Sequence, residues 1–305
     1  MIEYIFFVLG FLFLIKGAEF LVDGASSLAK HFKVSDLFIG LTVVAFGTSF
    51  PELMVNISSA VHLEVNIGVG NILGSNIANI LLILGIAALI YPLKIKSDVS
   101  KHVLFSLVSV LLLSIFVIFG GNSLSAIFGL ILILLFLGYV FWAYKTDDFT
   151  EKVSTKKFHI VASILFCFFG IVGLIIGGSW VVEGAIFIAN SFNISTTLIG
   201  LTIVAVGTSL PELITAIIAV KKRRTDMVLG ELIGSNIFNI LWILGLTSLI
   251  SEVLFTPENL VSLFVLFFIS LILFVLTIIK KNSLGLKVGL VFILGYLLYL
   301  VCLFV

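Results

Sequence analysis

Gly40-Leu-Thr-Val-Val-Ala-Phe-Gly-Thr-Ser-Phe-Pro-Glu-Leu53 returns 160 residues later as Gly200-Leu-Thr-Ile-Val-Ala-Val-Gly-Thr-Ser-Leu-Pro-Glu-Leu213, with 11 identities in 14 positions. A second block keeps the same offset: Gly70–Ile86 aligns with Gly230–Leu246 at 11 of 17 positions, around a shared Gly-Ser-Asn-Ile-x-Asn-Ile-Leu. Even the weaker Gly17–Ala25 stays in register with Gly177–Ala185. Self-similarity held at one offset is a duplication. The chain therefore divides into a first half, 1–144, a short linker, 145–157, and a second half, 158–305.

Composition sets the medium in which these halves fold. Of 305 residues, 61% are hydrophobic and 11% charged, with a mean hydropathy of +1.34. A water-facing surface needs roughly 25% charged residues, so the chain is an integral membrane protein, bathed in lipid. The same numbers exclude intrinsic disorder. With 17 basic against 16 acidic residues, a net charge of +1, no nucleic-acid partner is expected. Cys167 and Cys302 lie far apart in apolar runs and read as packing residues. The opening run Tyr4–Ile15 lacks a basic leader and a small-residue cleavage site, and Lys16 interrupts it; it reads as a retained first span, not a signal peptide.

A helix crossing about 30 Å of hydrocarbon needs about 20 apolar residues. Dividing the chain at its polar clusters gives ten spans, near 2–24, 38–61, 66–91, 102–120, 124–144, 158–187, 197–220, 227–250, 259–279 and 285–305. Basic residues collect in cytoplasmic connections. With the N-terminus outside, 16 of the 17 basic residues fall on the inner side, from Lys30 and Lys33 to Lys280, Lys281 and Lys287. Both termini are thus expected to be extracellular, in a multi-pass protein of the cell membrane. Five spans per copy is an odd number, so the second copy enters the membrane from the opposite side. The expected fold is all-α: ten transmembrane helices in two inverted five-helix repeats, which places a substrate site near the midplane, among interrupted helices.

The interruption is written into spans 2 and 7. Pro51 and Pro211 lack an N–H and should free the carbonyls of Gly47 and Gly207. Broken helices at membrane depth are tolerated where they line a polar cavity. Thr48, Ser49, Thr208 and Ser209 add oxygens beside the break, and Glu52 and Glu212 follow each proline. An acid in mid-span is a functional candidate by default, and no basic residue is placed to neutralise both. Carboxylates, hydroxyls and carbonyls together form an all-oxygen set, suited to a hard cation such as Ca²⁺ or Na⁺. In the third span of each half, Ser75 and Asn79, and likewise Ser235 and Asn239, are four apart and share a helix face. Gly70, Gly74, Gly230 and Gly234 flank those faces at the spacing that lets helices approach closely.

Other polar residues carry less. Asp23 and Glu183 hold equivalent repeat positions, and either an ion entrance or a simple pairing suits them. Lys16 and Glu19 have no charged counterparts and read as a local pair. His31, His62, His102 and His159 fall near span ends, where a solvated or headgroup role is expected. The sequons at Asn56 and Asn193 are set aside, the first because it lies within a span.

The paired Gly-Thr-Ser-x-Pro-Glu and Gly-Ser-Asn-Ile-x-Asn segments, confined to 40–86 and 200–246, closely resemble the α-repeats of the sodium/calcium exchangers, within the cation/Ca²⁺ antiporter superfamily. The resemblance implies an electrogenic antiporter in which Na⁺ entry expels Ca²⁺, with the transported ions as its only small-molecule partners, no cofactor and no obligate protein partner. It implies that Glu52 and Glu212 share Ca²⁺ with main-chain oxygens of Thr48 and Thr208. Sodium sites would draw on these residues and on Ser49, Ser75, Ser209, Ser235 and the carbonyls of Ala45 and Ala205, with Asn79 and Asn239 completing a central polar cluster. Potassium-dependent members carry Asp where this chain has Asn239, so K⁺ co-transport is not expected. Two other transport readings compete. A Ca²⁺/H⁺ exchanger would need no extra serine ligands, and a channel forms its pore by symmetric assembly, which an inverted repeat does not supply. An enzyme is not expected, since no nucleophile is paired with a base.

Overall fold

The computed structural model describes residues 2–62, 65–95, 97–146, 158–191, 207–279 and 283–304. The first half contains α1 (Ile2–Phe32), α2 (Asp36–Thr48), α3 (Phe50–Val61), α4, β1 (Leu93–Lys94), α5 (Ser97–Phe119), β2 (Ser123–Leu124) and α6 (Ala126–Thr146). Helix α4 runs from Val65–Ala78 through a π-helical turn, Asn79–Ile83, into Leu84–Ile90. The second half contains α7 (Ile160–Ser191), α8 (Leu210–Lys221), α9, β3 (Val253–Leu254), α10 (Pro257–Ile279), β4 (Ser283–Leu284) and α11 (Leu286–Phe304). Helix α9 is Thr225–Ile237, a π-helical turn Phe238–Ile243, and Leu244–Ile250. Among the described residues, seven helices are long and apolar enough to cross a bilayer; counting α2 and α3, bent by 48° at their break, as one span makes eight.

Several boundaries differ from those expected. Helix α1 continues to Phe32, so Lys30 rides on its last turn, where a cation meets the negative end of the helix dipole. Helix α5 starts at Ser97 and α7 runs on to Ser191. Charged and polar residues marked the expected ends, but a helix keeps its backbone bonded by continuing past them. The first part of the expected seventh span, 197–206, lies outside the described residues.

The helical membrane fold is as expected, with one addition in its connections. Two short antiparallel ladders join connections that are distant in sequence, β1 with β4 (Leu93 opposite Leu284) and β2 with β3 (Leu124 opposite Val253). Backbone groups leaving a helix need partners, and paired connections supply them. The ladders repeat the 160-residue offset, because β3 is the counterpart of β1 and β4 that of β2. Strand β1 lies beside the start of α9 and β3 beside the start of α4.

Burial shows which helices form the centre. The most apolar windows of α4 and α9 are 78% buried, against 22–44% for the other five long helices, α1, α5, α6, α7 and α10, whose large apolar side chains face outward. Lipid tails are as apolar as leucine, so close packing and polar contacts hold such a centre together. Gly230 of α9 meets Gly40 of α2 backbone to backbone: a Cβ on Gly40 would come within 3.0 Å of the Glu231 nitrogen. Gly234 lies against Leu41, so the second-half glycines do admit the broken helix. The equivalent partner of Gly70 and Gly74 would fall at 197–201, outside the described residues. Helices α1 and α7 form the most extensive helix pair, and Gly17 and Gly177 sit in its seam; a Cβ there would lie 2.8 Å and 2.6 Å from partner backbone atoms. Two ion pairs fasten the connection between α8 and α9: Arg224 to Asp36 at 2.8 Å, almost buried, and Lys222 to Asp23 of α1 at 2.5 Å, partly exposed.

Candidate cation site

The break between α2 and α3 falls at Ser49 (φ −84°, ψ 11°), and Ser209 (φ −87°, ψ 3°) holds the equivalent position at the start of α8. Pro51 and Pro211 sit in the first turn of the following helix, where the missing N–H removes no helical bond. Glu52 and Glu212 thus lie on a first turn, at the positive end of a helix, with exposures of 0% and 1%. The breaks pack on α7, Gly47 against Ile171 and Gly207 against Val182.

One first-half serine reaches the acid of the second half, and another the acid of its own half. The Ser49 hydroxyl donates to Glu212 Oε1 at 3.0 Å, and the Ser75 hydroxyl to Glu52 Oε1 at 3.1 Å. The Ser209 hydroxyl reaches Ser75 at 3.3 Å. Glu52 Oε2, Glu212 Oε2 and the Ser235 hydroxyl are buried without a hydrogen-bond partner. A buried acceptor left unpaired is costly, and these three oxygens suit a hard cation. The Thr48 hydroxyl turns back onto the carbonyls of Val44 and Ala45 (3.2 and 3.3 Å), and the Thr208 hydroxyl accepts a bond from Asn71 at 3.0 Å. The Ala45 carbonyl also takes the Ser49 N–H, at 3.0 Å. Ala205 lies outside the described residues.

Asn79 and Asn239 join a second cluster, whose other members the sequence reading passed over. Asn79 donates to Asn236 Oδ1 at 3.0 Å and Asn239 to Asn76 Oδ1 at 2.9 Å. Asn76 and Asn236 donate to each other's carbonyl, at 3.3 and 3.4 Å. Every bond has a counterpart 160 residues away. The signal was present, since Asn76 and Asn236 stand inside the shared motif; serine and the later asparagine drew attention because their spacing suggested one face. The π-helical turns begin at or just before Asn79 and Asn239, and such turns re-aim side chains at functional sites.

Residues outside the centre sort out plainly. Lys16 pairs with Glu19 at 2.7 Å, as expected, and Asp23 is a pairing residue, while Glu183 is exposed. His102 corrects the solvated reading: it is 3% exposed and its Nδ1 bonds the Tyr139 hydroxyl at 2.9 Å, because α5 starts early enough to carry it inside, beside α6. Cys167 packs on Gly24, whereas Cys302 is exposed. Asn56 is buried and bonds the Glu52 carbonyl at 2.9 Å, closed to glycosylation.

Fold and centre together define a helical, multi-pass membrane protein with two buried carboxylates, one on the first turn of α3 and one on the first turn of α8. The family described as sodium/calcium exchanger protein matches residues 2–145 and 162–305, and the chain belongs to that family. It is 35% identical over 295 residues to an uncharacterized membrane protein of Methanocaldococcus jannaschii, covering 96% of this chain and 95% of the relative. It is 33% identical to a sodium/calcium exchanger of Methanosarcina acetivorans, with 81% and 83% covered. A solved structure of the sodium–calcium exchanger NCX_Mj, soaked with Na⁺ and Ca²⁺, superposes with a TM-score of 0.87 at 34% identity, covering 98% of this chain and 97% of that one.

Proposed function

We propose that this chain is a secondary antiporter of the cell membrane that exchanges Na⁺ for Ca²⁺ by alternating access. One observation carries the reading: Glu52 and Glu212 are fully buried, each takes one hydrogen bond from a first-half serine, Ser75 and Ser49, and each keeps one carboxylate oxygen without a partner. Ca²⁺ is held by these two carboxylates with main-chain oxygens of Thr48 and Thr208. Na⁺ ions take the same acids with Ser49, Ser75, Ser209 and Ser235; Ala45 joins by releasing the Thr48 hydroxyl, and Ala205 is its repeat counterpart. The serines favour sodium over protons as the counter-ion, since a titrating pair of glutamates would not need them.

Ten spans in two inverted halves fit the reading, supported by ladders and asparagine bonds that recur at the repeat offset. Segregation of basic residues supports extracellular termini. Two ionised glutamates balance one Ca²⁺. About three Na⁺ in its place leave one excess charge, worth about 2.3 kcal/mol per 100 mV of membrane potential, so the cycle is electrogenic. Asn239 keeps the cycle independent of K⁺. Helices α1 and α7, closely packed on each other, slide as a pair over the remainder and expose the centre to either side. The test is ⁴⁵Ca²⁺ uptake into proteoliposomes loaded with Na⁺. Uptake driven by the Na⁺ gradient and made faster by an inside-positive potential is expected as Na⁺ leaves; uptake driven by a pH gradient alone would overturn the assignment.

A further inference from the structure

Among the described residues, one further buried acid has no part in the exchange site. Glu231 of α9 is 0% exposed, and both its carboxylate oxygens lack a hydrogen-bond partner. The two halves differ at this position. Its repeat counterpart, Asn71, is a neutral amide that donates to Thr208, so the first half fills with a hydrogen bond the place that the second half fills with an acid.

Among the described residues no basic side chain pairs with it. Among the charged and titratable groups on the elements packed against α9, Arg224 holds Asp36, Lys101 holds Asp98, His102 bonds Tyr139, and Lys94 and Lys221 are exposed. The group whose charge Glu231 does feel is Glu212, and that is repulsive. One helical turn further on, the unpartnered Ser235 hydroxyl lies on the same face, about 6 Å along the axis. Among the described residues no three acidic, histidine or cysteine side chains converge on one point, so Glu231 does not share an ion with Glu52 and Glu212 together.

We propose that Glu231 holds a monovalent metal cation of its own, a Group 1 ion shared with the Ser235 hydroxyl, beside the paired-carboxylate centre. The proposal rests on the exchanger reading and deepens it. A carboxylate with one neutral oxygen suits a singly charged ion, whereas Ca²⁺ asks for six to eight oxygen ligands. Glu212 nearby adds a second negative charge that favours cation over vacancy of charge.

Binding of ²²Na⁺ to the purified full chain tests this, with ⁸⁶Rb⁺ in parallel to separate sodium from a potassium-like ion. Glu231→Asn, which installs the residue of the first half, and Glu231→Gln are each expected to bind one monovalent ion fewer at saturation than the unaltered chain. An unchanged count in either folded variant overturns the proposal, and so does an acid that simply keeps a proton. Infrared difference spectra of the unaltered chain on Na⁺ addition supply a reading independent of variant folding: three carboxyl groups responding supports the site, two refutes it. Glu52→Gln keeps the parent reading separate, because it should remove ⁴⁵Ca²⁺ binding while leaving the ion at Glu231 countable.

Discussion

The asparagine cluster and the carboxylate cluster lie in the same core and are built on opposite principles. Asn76, Asn79, Asn236 and Asn239 bond one another reciprocally across the halves. The acids are served unevenly: first-half serines reach both, Ser49 to Glu212 and Ser75 to Glu52, while Ser209 stops at Ser75 and Ser235 bonds nothing. Symmetry thus belongs to the part that fastens the halves together. Asn79 Oδ1 and Asn239 Oδ1 are left unpartnered as Glu52 Oε2 and Glu212 Oε2 are, but only the carboxylates carry the charge that suits a mobile cation.

The sharpest way to break this contrast is at the acids. Glu52→Gln and Glu212→Gln are each expected to lower Na⁺-driven ⁴⁵Ca²⁺ uptake by about 100-fold, the scale of losing one charged partner in a buried site, with little change in thermal stability. The asparagines should behave in the reverse manner. Asn76→Ala or Asn236→Ala strands buried partners at a cost of about 1–3 kcal/mol each, read as a lower melting temperature and poorer recovery from detergent. A smaller effect is expected at Ser235→Ala, a rise of a few-fold in the Na⁺ concentration giving half-maximal exchange, with melting unchanged. Asn239→Asp should retain the fold and introduce a K⁺ or pH dependence of transport, measured by uptake with K⁺ present or absent. Least of all, Asp23→Asn removes a partly exposed pair to Lys222; such pairs are worth about 0–1 kcal/mol, and uptake should shift by less than about two-fold.

The sequence made the bilayer, the duplication and the two acids legible because each leaves a local signature: mean hydropathy, identity at one offset, and a proline before a glutamate. Helix ends were less legible. Lys30 and His102 looked like surface markers, yet the first rides on a continuing helix and the second is enclosed, since a helix terminates where its backbone finds other partners and not at the first charged residue. The ladders were invisible for a similar reason, two residues of strand being too short for any period to show. Glu231 was overlooked because a search for what the halves share passes over the position where they differ. That substitution changes one hydrogen-bonded amide into an unpaired acid, so the information lay in a mismatch.

The reciprocal Asn76 and Asn236 bonds bear on ancestry. A contact in which each residue grips its own counterpart is what an isologous dimer leaves behind when two identical chains become fused. With the halves inverted as proposed, the progenitor would have been a half-length protein that met its twin upside down. Fusion freed the two copies to diverge, and a glutamate opposite an asparagine is a change that no self-paired ancestor could have made on one side alone.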